Sequence, residues 1–406
     1  MLRCELSHFS NHNAIEKKLT NEEFNTTKNK RAICLIGGGH SHIAVIKQFG
    51  MHPIPGASLT LISPDALTPY SGMIPGLIAG HYAFKDCHID LMKLCRWAGA
   101  QFVSGQIQAM DLQTKQVVCD QHPPVHYDLL SINTGSQPAL HQIHGATEYG
   151  HPVKPIKNFI QGWQSWLESD RNSLRPQRVV VIGGGAAGIE ILLAMHYKIS
   201  RRYPKRSDFT LVCADRQILS THNQQVRNFF DRYLQSSGIT VIRGKRVIAI
   251  DRQQLLLDDQ TALHYDFAAW CIHATAPPWL KESGIQCDKK GFVLVDQYLR
   301  SISHPEIFTS GDAASFTPAP LPKAGIYAVR QGPILAKNIA ALIKNQPLSP
   351  YKPQRRYLSL LTTGNRYAVA SWGSFFVQGK WVWHWKNWID RSFMARYQSS
   401  LPDNNT

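Results

Sequence analysis

RAICLIGGGHSHIAVI, residues 31–46, is an apolar run broken by three glycines and resumed with helical spacing. Ile33, Leu35 and Ile36 read as the end of a buried parallel strand, Gly37, Gly38 and Gly39 as a tight turn, and Ile43, Ala44 and Ile46 as the start of a helix. This order makes a site for a dinucleotide pyrophosphate, because the glycines admit the phosphates to the backbone and the free amides of the first helical turn face the anion. The third glycine of G-x-G-x-x-G is His42 here. That glycine normally permits close helix–strand packing, so the helix is expected to stand off the strand, or His42 to point away. One such turn is a weak signal, also compatible with an ordinary strand–helix connection.

The chain then repeats itself. Residues 178–193 read RVVVIGGGAAGIEILL, with Gly183, Gly185 and Gly188 completing the pattern and Glu190 on the same helix. The second strand of each copy is LTLIS, ending at Ser63, and FTLVC, ending at Cys213. An acid that hydrogen-bonds the ribose usually ends this strand. Asp65 and Asp215 each stand two residues past it instead. A run of strands and short turns follows in each copy, read as a β-meander over residues 101–133 and again from Ile239. Each ends at a small-residue turn, Asn133-Thr134-Gly135 and Cys271–Ala276. A duplicated strand–turn–helix–strand–meander is far more specific than one glycine turn.

Between and after the copies the pattern changes. TPYSGMIPGLIAGHY, residues 68–82, is apolar without helical or strand period, and either lines a ligand pocket or packs as a buried structural loop. Residues 151–178 read as a crossover with one short helix around Trp163–Leu167. PEIFTSGDAAS, residues 305–315, ends a strand at Gly311-Asp312, where an acid can sit beside a polyol or ribityl chain. A helix-like segment, Lys323–Ile343, precedes a linker marked by Pro347, Pro350 and Pro353. In the tail, Trp385, Trp388, Ile389, Phe393 and Tyr397 follow one helical face, with Lys386, Asp390 and Arg391 on other sides. That face reads as an in-plane membrane anchor or as a face packed on the protein's own core or a second subunit.

Composition narrows the class. At 406 residues, 43% hydrophobic and 18% charged, the chain is an ordinary globular protein of two or three domains. Its net charge of +16 fits an anionic nucleotide, an anionic membrane surface or nucleic acid. Nucleic acid is the weakest of these, since no zinc-finger spacing or dense Lys/Arg run occurs. None of the eight cysteines forms C-x-x-C, so they read as buried small hydrophobes in a reducing compartment. No apolar run reaches the ~18 residues that span a bilayer. Residues 1–30 are polar and acid-containing, an expected flexible extension.

With these motifs the chain resembles the two-dinucleotide-fold flavoproteins, the pyridine nucleotide–disulfide oxidoreductase superfamily, over about residues 31–345. Within it, the chain is most similar to the type II NADH dehydrogenase-like branch. GGGHSH with TPYSGMIPGLIAGHY looks like the flavoprotein module sometimes fused ahead of selenophosphate synthetase. The resemblance implies an α/β fold of tandem Rossmann-like FAD and NAD(P) domains, glutathione-reductase-like, with inserted β-meanders and a small C-terminal α+β piece. Residues 31–150 and 277–346 would form the FAD domain, 151–276 the NAD(P)H domain and 347–406 the C-terminal piece.

By the same resemblance FAD would be held by Gly37, Gly38, Gly39, Ser63, Asp65, Thr134 and Gly135, with Gly311 and Asp312 on its ribityl chain. Residues 68–75, with Pro69 and Tyr70, would lie near the flavin ring, and Lys323 and Ala324 would also bind the cofactor. NAD(P)H would be held by Gly183, Gly185, Gly188, Glu190, Asp215, Ala274 and Thr275, and Glu190 and Lys323 would serve catalysis. No metal is implied. The expected partners are NAD(P)H, a quinone or other small electron acceptor, a membrane surface through residues 381–397 and a second copy of the chain. The expected location is cytoplasmic, peripheral on the inner face of a membrane.

The chain departs from the family pattern in places. No cysteine pair suits thiol–disulfide chemistry of the glutathione-reductase kind. The quinone-site glutamines of type II dehydrogenases, Ala-Gln and a further Gln after Pro-Lys, are replaced by Gly325-Ile326 and Arg330 after Pro322-Lys323. Cys213 stands where an acid would hold the NADH ribose, with Asp215 to take it, or Arg216, Arg201 and Arg202 to take a 2′-phosphate. The implied function is hydride transfer from NAD(P)H to FAD and electron delivery to a quinone-like acceptor. The alternatives are a reductase of a soluble acceptor in selenium or sulfur metabolism, and a non-catalytic redox-sensing nucleotide-binding protein.

Overall fold

The structure is a computed structural model describing residues 30–140, 143–169, 176–202, 207–272 and 274–398. The expected N-terminal extension lies outside these residues, apart from Lys30. Strand β1 (Arg31–Ile36) leaves solvent at Arg31 and is fully buried from Ile33 to Ile36, as a strand covered on both faces must be. It pairs in parallel with β2 (Ala57–Ser63) through Ile33↔Leu59 and Leu35↔Leu61, after the helix α1 (His40–Met51). On its other side it pairs with Leu129–Ile132, and Ile307–Thr309 and Gln101–Ser104 complete a five-stranded parallel sheet. Burial of Ile33, Leu35, Ile36 and Leu61, each at most 1% exposed, contributes about 1.5–3 kcal/mol per side chain.

Gln101–Ser104 therefore belongs to the main sheet, and the meander is confined to residues 107–126. The crossover that a parallel strand requires is supplied by the helix Leu91–Trp97 immediately before it.

The second copy builds the second sheet. Strand β3 (Gln177–Ile182), helix α2 (Ala186–Arg202) and β4 (Ser207–Cys213) are joined in parallel by Thr240–Arg243 and Phe267–Trp270. His151–Pro152 lies at the edge, and a three-stranded meander spans residues 247–264. The crossover helix runs over Ile156–Ser169, longer than the sequence suggested, and buries Phe159, Ile160 and Trp163. Just past the two sheets, Gln137–Pro138 pairs antiparallel with Ala274–Thr275 and ties the first copy to the second.

Residues 68–82 are less irregular than expected. A 3-10 turn, Ser71–Met73, leads into a helix, Ile74–Ala79, with Pro75 in its first turn and Gly80 at φ 85° closing it. Six residues are too few to show a helical period.

The C-terminal piece is a three-stranded antiparallel sheet, Ser359–Thr362, Ala368–Trp372 and Phe375–Gly379, followed by helix α3 (Lys380–Gln398). Here the expected single aromatic face divides. Phe393 is buried and Tyr397 half-buried, whereas Trp388 is 66% exposed. At roughly 100° per residue, Phe393 and Tyr397 lie about 140° and 180° around the helix from Trp388, on the opposite side. Lys386 and Asp390, placed on other sides by the sequence, are buried with Val382, Trp383, Phe393 and Met394. They are stable there because the Lys386 ammonium donates to Asp390 Oδ2 and to the Gly72 carbonyl, both at 2.6 Å.

Candidate functional site

Both glycine turns end in helices that open without an acid in the first turn, and α1 has no capping side chain. Among the described residues, the amides of Gly38, Gly39 and His40 make no protein hydrogen bond, which leaves them free to bind an anion. Gly37 has φ 91° and Gly183 φ 125°, conformations that a side chain would strain. In the second turn a Cβ added at Gly185 would meet nothing within 4 Å, so that side is open to a ligand. One at Gly188 would lie 1.9 Å from the Gly183 carbonyl oxygen, so helix and turn touch there.

His42, at the position equivalent to Gly188, turns inward, against the expectation that it points away. Its ring is fully buried, with Nδ1 donating to the Gly37 carbonyl at 2.6 Å and Nε2 accepting from the Ser131 hydroxyl at 2.8 Å. The carbonyl can only accept, which places the proton on Nδ1 of a neutral ring. Burial lowers the pKa to about 4 from its ordinary 6.5. The folded state thus binds fewer protons than the unfolded one between these values, and stability is lost as pH falls from about 6.5 towards 4. His42→Asn is expected to shrink the drop in melting temperature between pH 7 and pH 5. An unchanged drop would show that His42 does not titrate on unfolding.

Asn133 is the hub of the first site. Its Oδ1 accepts from the Ser41 amide at 3.1 Å and its Nδ2 donates to the Ser310 carbonyl at 2.8 Å. A Cβ at Gly39 would lie 2.2 Å from Asn133 Oδ1, so this glycine is required first by the protein's own packing. Thr134, Gly135, Gly311 and Asp312 follow at the adjacent strand ends, and the Gly311 amide is fixed by Gln331 Oε1 at 2.6 Å. Thr134 Oγ1 and Ser310 Oγ are buried with no partner in the structure. Lys154 Nζ lies 2.6 Å from Asp312 Oδ2, and Ser136 Oγ donates to the same oxygen at 3.2 Å. Gln331, Lys154 and Ser136 carried no motif in the sequence.

Other expected residues are already engaged. Ser63 Oγ donates to the Asp65 carbonyl at 3.0 Å, and the Asp65 carboxylate is paired with Lys157. Pro69 pairs with His88 in a short antiparallel ribbon. Lys323 Nζ donates to the Ala314 carbonyl at 2.5 Å and stands 3.7 Å from the Phe292 ring centre. Burial brings its pKa down to about 8, while nearby Asp312 opposes the change. Ala324 caps the helix Gly325–Ile343. Ala274 and Thr275 form the tie to Pro138 and Gln137. Asp215 is exposed and accepts from Ser220 Oγ at 3.1 Å. Arg201 donates to Tyr197 Oη and Arg202 to the Leu167 carbonyl, both at the far end of α2 from the glycine turn.

Glu190 does not sit with the glycines. Its Oε1 accepts from the Thr362 amide at 2.8 Å and hydroxyl at 3.0 Å, inside the C-terminal sheet. Burial raises its pKa, and the Lys386 ammonium and the Thr362 bonds pull it back. Asp390, paired with Lys386, also hydrogen-bonds Tyr70, whose ring stacks on Phe393 at 4.4 Å and meets His40 edge-on at 5.5 Å. Of these residues Lys386 and Asp390 are buried, and Glu190, Tyr70 and His40 are half-buried. A narrow cleft is lined by His81, Tyr82, Trp383, Lys386 and Thr362, the last being the partner of Glu190. The seven cysteines among the described residues are unpaired, and burial raises Cys87, Cys95 and Cys271 to about 12.

Two glycine turns, each between a parallel strand and a helix and tied by their own strand ends, agree with a sequence match over residues 31–332 to the pyridine nucleotide-disulphide oxidoreductase family. The chain belongs to this family. It is 19% identical over 346 residues to a type II NADH:quinone oxidoreductase of Staphylococcus saprophyticus, covering 80% of this chain and 86% of that one. Its fold is shared with the sulfide:quinone oxidoreductase of Aquifex aeolicus (TM-score 0.77, 18% identity, 91% and 92% of the two chains). It is also shared with NDH2 of Plasmodium falciparum solved with NADH (TM-score 0.75, 16% identity, 92% and 99%). In this family setting the unpartnered Thr134 and Ser310 hydroxyls, the free amides after Gly37 and the Asp312 carboxylate fit a flavin dinucleotide in the first site.

Proposed function

We propose that this protein is an FAD-dependent NAD(P)H oxidoreductase that delivers electrons to a quinone-like acceptor. The observation that carries the reading is the pair of glycine-turn sites joined through Gln137–Pro138 and Ala274–Thr275. Residues 31–150 with 277–346 hold the flavin, and residues 151–276 hold the donor. When bound, the flavin supplies the two-electron chemistry, taking hydride from NAD(P)H and passing electrons on. The α1 amides bind the pyrophosphate, Asp312 takes ribityl hydroxyls, and Gly183–Gly188 seat the donor's phosphates. Reducing a quinone to a quinol consumes two protons with two electrons, and one proton must come from the protein or solvent. Glu190, whose pKa is raised by burial while the Lys386 ammonium opposes the rise, is the acid assigned to supply that proton.

The test is steady-state oxidation of NADH and NADPH by the flavin-loaded protein with a panel of quinones and soluble dyes. Quinone reduction that falls at least tenfold in Glu190→Gln, with flavin still bound, supports the assignment. Turnover with soluble acceptors alone favours the soluble-acceptor reading, and no turnover with any acceptor favours the sensor.

A membrane supplies the acceptor in this reading. No helix among the described residues is long and apolar enough to cross a membrane. Trp381 and Trp388 of α3 stand 57% and 66% exposed, and Trp372 and Phe375 of the neighbouring hairpin 58% and 54%. Tryptophan favours the headgroup region, and a net charge of +16 is drawn to anionic lipid. Trp381→Ser with Trp388→Ser is expected to weaken binding to anionic vesicles about tenfold or more. Binding of the unaltered protein that is insensitive to salt, or absent, would remove the membrane from this account.

A further inference from the structure

His40 and His42 flank Ser41 at the start of α1, and the fold uses them differently. Both ring nitrogens of His42 are engaged, with the Gly37 carbonyl and the Ser131 hydroxyl. The half-buried ring of His40 instead packs edge-on to Tyr70 at 5.5 Å and lies 5.9 Å from Phe393. Neither of its nitrogens has a hydrogen-bond partner among the described residues, and neither is sealed in the interior as Thr134 Oγ1 and Ser310 Oγ are. The backbone beneath this ring is fixed. The Ser41 hydroxyl donates to the Ala328 carbonyl at 2.7 Å, and the Ser41 amide donates to Asn133 Oδ1 at 3.1 Å. His40 thus holds two reachable polar atoms, without a protein partner, beside the turn whose amides are free.

The titratable and charged groups facing the ring are Tyr70 from residues 68–82, Asp312 from the strand end and Lys154 from the crossover, while α3 presents Phe393. Burial lowers the pKa of His40 to about 4, with Asp312 pulling it up and Lys154 pulling it down. The ring is therefore neutral near pH 7, with one nitrogen donating and the other accepting. The free α1 amides fit the pyrophosphate of a flavin dinucleotide, and Asp312 fits its ribityl chain. His40 adjoins both, since one of those amides is its own and its ring lies within reach of the Asp312 charge. We propose that His40 is a direct hydrogen-bonding contact of the flavin, donating from its ring N–H and favouring the reduced state over the oxidised one. A flavin that has taken up hydride carries more negative charge, and a hydrogen bond to a charged acceptor is roughly twice as strong as one to a neutral acceptor. A donor already fixed in place needs no reorganisation when that charge arrives.

This inference rests on the first glycine turn being the flavin site, and the experiment separates the two. The full chain is loaded with FAD, and the midpoint potential of the bound flavin is measured against reference dyes. His40→Phe keeps an aromatic ring between Tyr70 and Phe393 and removes both nitrogens. It is expected to lower the potential by about 30 mV, the two-electron equivalent of a tenfold loss of preference for the reduced flavin. His40→Asn, which retains a donor, should recover part of the gap. The gap should be the same at pH 6 and pH 8, because the ring is neutral at both. In the parent chain with nitrogen-15-labelled histidine, adding FAD should shift the ring signals of His40 and leave the fully engaged ring of His42 in place. An unaltered potential in His40→Phe, or His40 signals that FAD does not move, overturns the contact and leaves the flavin site standing. A gap that widens as pH falls overturns the neutral donor in favour of a charged ring. Failure of the parent chain to bind FAD overturns both the contact and the site.

Discussion

Lys386→Met is expected to destabilise the protein by about 3–5 kcal/mol, the cost of leaving a buried carboxylate without its cation. The side chains of Lys386 and Asp390 are 10% and 6% exposed, and the ammonium also holds the Gly72 carbonyl. Removing it strands Asp390 and takes away the charge that opposes the burial-driven rise of Glu190. Urea denaturation measures the loss, and an unaltered midpoint would mean that water already solvates the pair. Replacing both partners, Lys386→Met with Asp390→Leu, should recover much of the stability, since apolar pairs of similar size replace buried ion pairs well. It should not recover quinone reduction. A double variant as active as the parent would leave the pair with a structural role alone.

Gly39→Val is expected to yield protein with little or no flavin. The new Cβ would stand 2.2 Å from Asn133 Oδ1 and 2.6 Å from the Asn133 carbonyl oxygen, with backbone on one side of the collision. Asn133 would have to give up the Ser41 amide or the Ser310 carbonyl, and the turn before Asp312 would shift with it. Absorbance of the purified protein reports flavin content. The contrasting variant is Gly185→Val, whose Cβ meets nothing in the protein. It should keep fold and flavin and lose affinity for the donor nucleotide. Normal flavin in Gly39→Val, or normal donor binding in Gly185→Val, would contradict the respective site.

The sequence by itself determined the two glycine turns, the strands before them and the Gly311-Asp312 turn. These are contiguous runs whose chemistry comes from the backbone: a positive φ at Gly37 and Gly183, and amides left free where a helix begins. It also showed that the acid ending β4 is missing. What it left undetermined depends on residues brought together from afar. The Ser41 amide meets Asn133 across 92 positions, Glu190 meets Thr362 across 172, and Lys386 meets the Gly72 carbonyl across 314. Periodicity placed Lys386 and Asp390 away from the aromatic face, and a charged residue there is ordinarily solvated. Only the packing of α3 against residues 70–82 puts them inside, where each neutralises the other. His42 was legible as an anomaly and not as a solution. Its two hydrogen bonds need the Gly37 carbonyl and the Ser131 hydroxyl on opposite sides of the ring, and tertiary packing alone brings Ser131 there.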